Sequence, residues 1–256
     1  MVDEQRFSGK MGEEYDLLKK AYPKYEELHQ VLADAISDHS SGEDGGKLQV
    51  LEIGCGSGIT SSAILGAGKE LSLTSIDSEP KMISQASLNL KRDLQGGRLT
   101  LIQADALEFL ESTGDATLDI VASGFTFHNF LREYRSSVLD QTFRVLKPGG
   151  LFVNADKYSL EGQEMFNELV LQLQRFFNAF VPLGKLELLQ EWVLHNVADQ
   201  APDRAMREKD SVKEMEEIGF QNVQVHFRHG LEAVVSGRKA EARSQKVNMI
   251  SFKALN

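Results

Sequence analysis

Cysteine is almost missing from this chain: Cys55 is the only one in 256 residues. One thiol excludes an intrachain disulfide and leaves no material for a cysteine-based zinc or iron–sulfur centre. Positive charge is in the minority, with 28 Lys and Arg against 38 Asp and Glu, a net −10. That balance counts against broad binding to a phosphate backbone. Long apolar runs are missing too. No stretch approaches the roughly 20 residues needed to cross a bilayer, and no signal-peptide apolar region follows Met1. Internal repeats and low-complexity tracts are likewise lacking. What remains is 41% hydrophobic and 26% charged, the profile of an ordinary globular protein that can bury a core without staples. The expectation is an acidic, cytoplasmic protein with no membrane contact and no broad nucleic-acid contact.

Apolar residues first follow a helical period. Tyr15, Leu18, Tyr22, Tyr25, Leu28, Leu32 and Ile36 recur every three or four positions. Pro23 divides this stretch into two helices, and a Ser-, Gly- and Asp-rich loop over 39–46 ends it. Short apolar runs then take over at 48–53, 71–76, 98–103, 118–123 and 151–154. Amphipathic stretches at 57–66, 79–94 and 129–146 lie between them. Strands alternating with helices predict a parallel sheet covered on both faces, since a parallel crossover needs a long connection. Lys147-Pro148-Gly149-Gly150 predicts a stop and a turn into the next strand. Beyond it, 159–197 reads as two helical segments broken near Pro182-Leu183-Gly184, followed by a loop at 198–202. A helix over 211–218 and a hairpin of 223–227 with 231–236 close the pattern; the tail from 238 carries no clear signal. The domain reading is an N-terminal helical lid over 1–46, then an α/β domain over 47–256 with a helical insertion at about 159–218.

The informative segment is Glu52-Ile53-Gly54-Cys55-Gly56-Ser57-Gly58. An apolar strand enters a turn with glycines at alternate positions, and a helix follows. Glycine permits positive φ and close approach of a ligand to the backbone, and a helix start offers amide donors. Such turns also occur merely to pack a strand on a helix. Asp77 ends the second predicted strand, where a carboxylate in a doubly wound sheet can accept ribose hydroxyls. Asp105 follows the third strand and could accept from an adenine amino group. Each acid could instead cap the helix after it. Three such features at three successive strand ends favour a shared ligand. A dinucleotide oxidoreductase would space its glycines GxGxxG and leave Asp105 unexplained.

Together LEIGCGSG at 51–58, SID at 75–77, ADA at 104–106 and VLKPGG at 145–150 make the chain resemble the class I S-adenosylmethionine-dependent methyltransferases. The resemblance implies a Rossmann-like, mostly parallel seven-stranded sheet of order 3-2-1-4-5-7-6. It also implies S-adenosylmethionine as cofactor: Glu52, Gly54, Cys55, Gly56 and Gly58 would hold its methionine part. Asp77 with Ser78 would hold the ribose, and Asp105 with Ala106 the adenine, Ser123 lying close by. A second resemblance, to the carboxy-S-adenosylmethionine synthases, rests on residues 7–25, on Phe125-Thr126 and on the helical insertion. It makes Tyr25 a cofactor-contacting lid residue, although Tyr25 could equally pack with Leu28 and Leu32. The chain departs from that pattern at Gly124, where those enzymes carry asparagine.

Methyl transfer from a sulfonium is an in-line displacement, so alignment is the protein's main task. The end of the fourth strand, 123–129, should adjoin the methyl group. His128 there could accept an acceptor's proton, or cap and pack the next helix. Phe125 reads as a wall of the acceptor pocket or as core. Arg204 and Arg207 could grip an anionic group on a small-molecule acceptor, or simply start a solvated helix. Phe166, Phe176, Phe177, Phe180 and Trp192 read as core or as a homodimer surface before an aromatic cage. His195 and His226 show no ligand-like spacing, so the sequence assigns no metal.

Overall fold

A computed structural model describes residue 7 and residues 9–40 and 46–241; most of the tail lies outside this range. Seven strands form one sheet: β1 (Leu48–Ile53), β2 (Leu71–Asp77), β3 (Leu99–Gln103), β4 (Leu118–Gly124), β5 (Leu146–Lys157), β6 (Phe220–His229) and β7 (Glu232–Lys239). Their order is β3-β2-β1-β4-β5-β7-β6, as the sequence resemblance implies. β1 to β5 run parallel, while β7 is antiparallel to both β5 and β6.

Alternation builds the two faces. Val50, Ile120, Ala122, Leu151, Val153 and Val234 belong to one buried cluster. Their neighbours Leu51, Val121, Phe152 and Val235 belong to the other, because successive strand side chains point to opposite faces. The first cluster is completed from α2 (Tyr25–Ser40), α3 (Ile59–Ala67), α8 (Gly162–Phe180) and α9 (Leu186–Ala198). The second takes residues of α6 (Ala106–Ser112), α7 (Arg132–Val145) and α10 (Glu208–Ile218).

Three local features depart from the periodicity. The stretch before Pro23 is not a regular α-helix: a single turn, α1 (Lys10–Glu13), leads into a 3-10 segment, Tyr15–Ala21. The helix expected over 79–94 splits into α4 (Pro80–Asn89) and α5 (Lys91–Gln95). Leu90 sits at the break with φ −109°, its buried side chain packed where a Cβ on Gly58 would come within 2.7 Å of it. Residues 147–150 are counted in β5, with a register shift opposite Leu118 and Ile120. A Cβ on Gly150 would lie 2.9 Å from the Lys147 carbonyl oxygen and 3.1 Å from that of Asp119, so only glycine lets the backbones pass this closely.

Candidate functional site

The carboxyl ends of β1, β2, β3 and β4 open on one cleft, with an inner volume of about 110 Å³. Gly54, Gly56 and Gly58 have φ of +75°, +51° and +95°, the left-handed region that glycine enters without strain. The loop is held from within. The Gly54 and Cys55 amides donate to the Ile76 carbonyl at 2.9 and 3.0 Å, and the Gly56 amide donates to Asp77 Oδ2 at 2.9 Å. These three amides are thereby engaged; Gly56 turns bare backbone toward the cleft, whereas a Cβ on Gly54 would strike Thr126 and one on Gly58 would strike Leu90.

Asp77 also accepts from the Glu79 amide through Oδ1 at 2.9 Å, and burial holds its carboxyl above the ordinary carboxylate range. Each carboxylate oxygen keeps a second lone pair for a ligand hydroxyl. Asp105 caps α6, accepting from the amides of Leu107 and Glu108 at 2.8 and 3.0 Å. The Tyr134 hydroxyl stands 2.8 Å from both of its oxygens. The capping reading of Asp105 is therefore realised, on a residue that also lines the cleft.

The far wall is aromatic. Tyr25, first residue of α2, stacks on Phe125 with centroids 5.5 Å apart and planes 9° from parallel. Phe125 itself has φ +53°, a conformation that costs a non-glycine residue about 1–2 kcal/mol and that concentrates at functional sites. Neighbours hold it there. Its amide donates to the Ala155 carbonyl at 2.9 Å, and its carbonyl accepts from Asn129 Nδ2 at 3.1 Å. The Nδ1–H of His29, on α2, donates to the Tyr25 carbonyl at 2.7 Å, and Thr60 faces His29 Nε2 at 3.1 Å.

Of the residues singled out in the sequence, Tyr25, Gly54, Cys55, Gly56, Asp77, Ser78, Asp105, Ala106 and Phe125 line the cleft. Six others lie outside its lining. Glu52 is fully buried beneath the loop, with Oε2 accepting from the hydroxyls of Ser61 and Ser75 at 2.5 Å each. Burial pushes its carboxyl up to about 7. Gly58 packs against Leu90. Ser123, also buried, donates to the Ile53 carbonyl at 3.0 Å. Arg204 donates to the Asn129 carbonyl at 2.8 Å, and Arg207 faces Asp210 at 3.9 Å on the first turn of α10. His128 is buried behind the wall, its Nδ1 2.5 Å from Asp156 Oδ1. Of the insertion aromatics, Phe176, Phe180 and Trp192 are core, whereas Phe166 and Phe177 are exposed.

The cleft also draws on Asn129, inside the 123–129 stretch expected beside the methyl group, and on Phe7, Tyr15, Thr60, Met82 and Tyr134, which the sequence reading did not name as site residues. Phe7 and Tyr15 lie in the 7–25 stretch that the second resemblance singles out, and Tyr15 also belongs to the N-terminal apolar period; Thr60, Met82 and Tyr134 carried no advance signal. Among the described residues, no helix is long and apolar enough to cross a membrane.

Residues 50–150, the span from β1 to the start of β5, match the family model described as a methyltransferase domain. Over this segment the chain is similar to the class I methyltransferases. S-adenosylmethionine is the methyl donor typical of that family. A demethylmenaquinone methyltransferase of Leptospira interrogans is 28% identical over 154 residues, 58% of this chain and 61% of that protein. The chain thus spans about three-fifths of the length of that relative. A carboxy-S-adenosyl-L-methionine synthase of Vibrio parahaemolyticus is 23% identical over 220 residues, covering 83% of this chain and 82% of the relative. Among solved structures, a SAM-dependent methyltransferase from Aquifex aeolicus superposes with TM-score 0.55 at 16% identity, over 88% of this chain and 97% of its own. The chain accordingly combines the seven-strand order with a glycine loop, and the two strand-end acids line one cleft.

Proposed function

We propose that the protein transfers a methyl group from S-adenosylmethionine to a small-molecule acceptor. The observation that carries this reading is the meeting of the glycine loop, Asp77 and Asp105 in one cleft at three adjacent strand ends. The site fits the cofactor. Gly56 leaves a backbone surface free of Cβ, Asp77 keeps lone pairs for ribose hydroxyls, and Asp105 with Ala106 forms a polar edge for adenine. When bound, S-adenosylmethionine supplies a sulfonium-activated methyl group. The chain's part is to hold the methionine end against 54–56, to aim the methyl group toward the β4 end, and to keep water away behind Tyr25 and Phe125. The described residues 9–40 serve as the lid and 159–218 as the helical insertion. His128, tied to Asp156, belongs to the acceptor end. Arg204 and Arg207 are assigned to the acceptor side as a route to anionic groups. The exposed Phe166 and Phe177 mark the face on which a homodimer would form, which light scattering checks.

The small-molecule reading is supported by the enclosed aromatic wall and by relatives whose names specify small acceptors. Similarity to the carboxy-S-adenosyl-L-methionine synthases over 83% of this chain supports a second reading, in which the cofactor itself is modified. Incubation with S-adenosylmethionine and a panel of small acceptors, read by mass spectrometry, separates the two. Methylated acceptor with S-adenosylhomocysteine supports transfer, and a carboxylated cofactor supports the second reading.

A further inference from the structure

Behind the Phe125 wall the fold gathers side chains from three distant segments. His128 follows β4, Asp156 lies near the end of β5, and His195 and Asp199 stand one turn apart at the end of α9. All four are buried: Asp156 fully, His128, His195 and Asp199 to within 6%, 6% and 4% exposure. The Asp156 carboxylate, 2.5 Å from His128 Nδ1, is fixed in turn by the Lys157 amide at 2.7 Å. A carboxylate only accepts, so Nδ1 carries the hydrogen and Nε2 presents a lone pair. That Nε2 lies 3.8 Å from Asp199 Oδ2, and His195 Nε2 lies 3.6 Å from the same oxygen. One ligand atom from each of the three residues falls within 4.8 Å of the others.

These separations are too long for hydrogen bonds, which close to about 2.7–3.2 Å. They come near the spacing of roughly 3.3–3.5 Å that ligand atoms keep around a tetrahedral metal bound at about 2.0–2.2 Å. We propose that His128, His195 and Asp199 form a site for one first-row divalent metal of the zinc class, with Asp156 as its positioning residue. Two imidazoles and one carboxylate suit zinc, cobalt or iron(II) better than calcium or magnesium, which prefer all-oxygen sets. A carboxylate behind the second nitrogen of a bound imidazole is the usual way to orient such a ligand. Lys157 Nζ contacts Asp199 Oδ2 at 2.5 Å and Asn196 Oδ1 at 3.0 Å. An ionised oxygen has lone pairs for two partners, so the ammonium and the metal share Asp199 and oppose each other there. The site adjoins the cleft wall, the Phe125 ring lying 6.5 Å from that of His128 and Phe7 5.6 Å from that of His195. Metal binding itself does not rest on the methyl-transfer reading.

The test uses the full, tag-free chain stripped with a chelator. Zinc chloride is titrated by calorimetry, and cobalt chloride by its visible ligand-field absorption. One equivalent should bind with micromolar or tighter affinity, and zinc should displace the cobalt band. His195→Asn should weaken binding at least about tenfold and Asp156→Asn about 10- to 100-fold with stoichiometry kept, whereas Lys157→Met should tighten it. In the unmodified protein, zinc should shift the imidazole nitrogen resonances of His128 and His195 and leave those of His226 in place, a readout independent of whether any variant folds. The absence of saturable binding at millimolar metal would overturn the proposal. So would resonance shifts confined to other histidines, or undiminished affinity in folded His195→Asn protein.

Discussion

Removing the Asp77 carboxylate should cost cofactor affinity by an amount the structure lets one work out. Asp77 accepts two backbone amides, from Gly56 and Glu79, both at 2.9 Å, and in the proposed complex it also accepts ribose hydroxyls. A hydrogen bond to a charged group contributes about 1.5–3 kcal/mol net. Losing one such contact to the ligand therefore raises Kd about 10- to 100-fold, at 1.4 kcal/mol per decade. Freeing the Gly56 amide also loosens the loop under the methionine end, so Asp77→Ala should fall toward the upper part of that range. Asp77→Asn keeps one acceptor oxygen but turns an amide donor toward the Gly56 or the Glu79 N–H, so it should rescue little. The pH dependence has a definite sign. Burial raises the carboxyl's pKa, so wild-type affinity should decline, as pH falls, earlier than for an ordinary aspartate, and Asp77→Ala should lack that acid limb. The assay is calorimetric titration of S-adenosylhomocysteine into each protein across pH, with circular dichroism confirming the fold. A folded Asp77→Ala protein that binds within threefold of wild type would refute the assignment.

Other outcomes follow from the same geometry. Phe125→Ala should destabilise the protein by about 3 kcal/mol through lost aromatic packing; Phe125→Gly should be less harmful by about 1 kcal/mol, because glycine accepts φ +53° without strain. Chemical denaturation measures both, and an alanine variant more stable than the glycine one would contradict the strain. Burial raises the Glu52 carboxyl to about 7 from the ordinary 4.5 of a glutamate, so the fold binds a proton that the unfolded chain releases. Stability should therefore fall as pH rises from about 4.5 to 7, and Glu52→Gln should flatten that slope in a thermal-melt series; an unchanged slope would count against it. Glu191 accepts the amides of Lys10 and Met11 at 3.2 and 2.6 Å, latching the N-terminal segment to α9. Glu191→Ala should speed tryptic cleavage before residue 21 and quicken release of bound S-adenosylhomocysteine, whereas unchanged cleavage would remove the latch.

The succession of strands and helices and the glycine loop were legible because their signals are local: alternating apolar runs, glycines at every second position, an acid at each of two strand ends; the order of the strands within the sheet came from the resemblance those motifs carry. Glu52 shows where local reading stops. Period-two alternation puts its side chain on the face of Val50, opposite Ser75 in register and beneath Ser61 of α3, so an acid adjoining the loop in sequence is sealed under it in space. Tyr134 could not be read, since only the packing of α7 beside α6 brings its hydroxyl to Asp105. The same holds for the meeting of His128 with His195 and Asp199: the last two lie one helical turn apart, but no linear spacing relates them to His128. Phe125 was legible as a wall, but its left-handed backbone was not, because neighbours on β5 and at Asn129 impose it.

The measurement that bears most directly on the account is binding of S-adenosylmethionine to the unmodified protein, by calorimetry, with a nicotinamide dinucleotide as the competing ligand. One equivalent of S-adenosylmethionine bound at micromolar affinity, with no heat from the dinucleotide, is the predicted result. Saturable binding of the dinucleotide instead, or of neither ligand at millimolar concentration, would contradict the reading of the cleft.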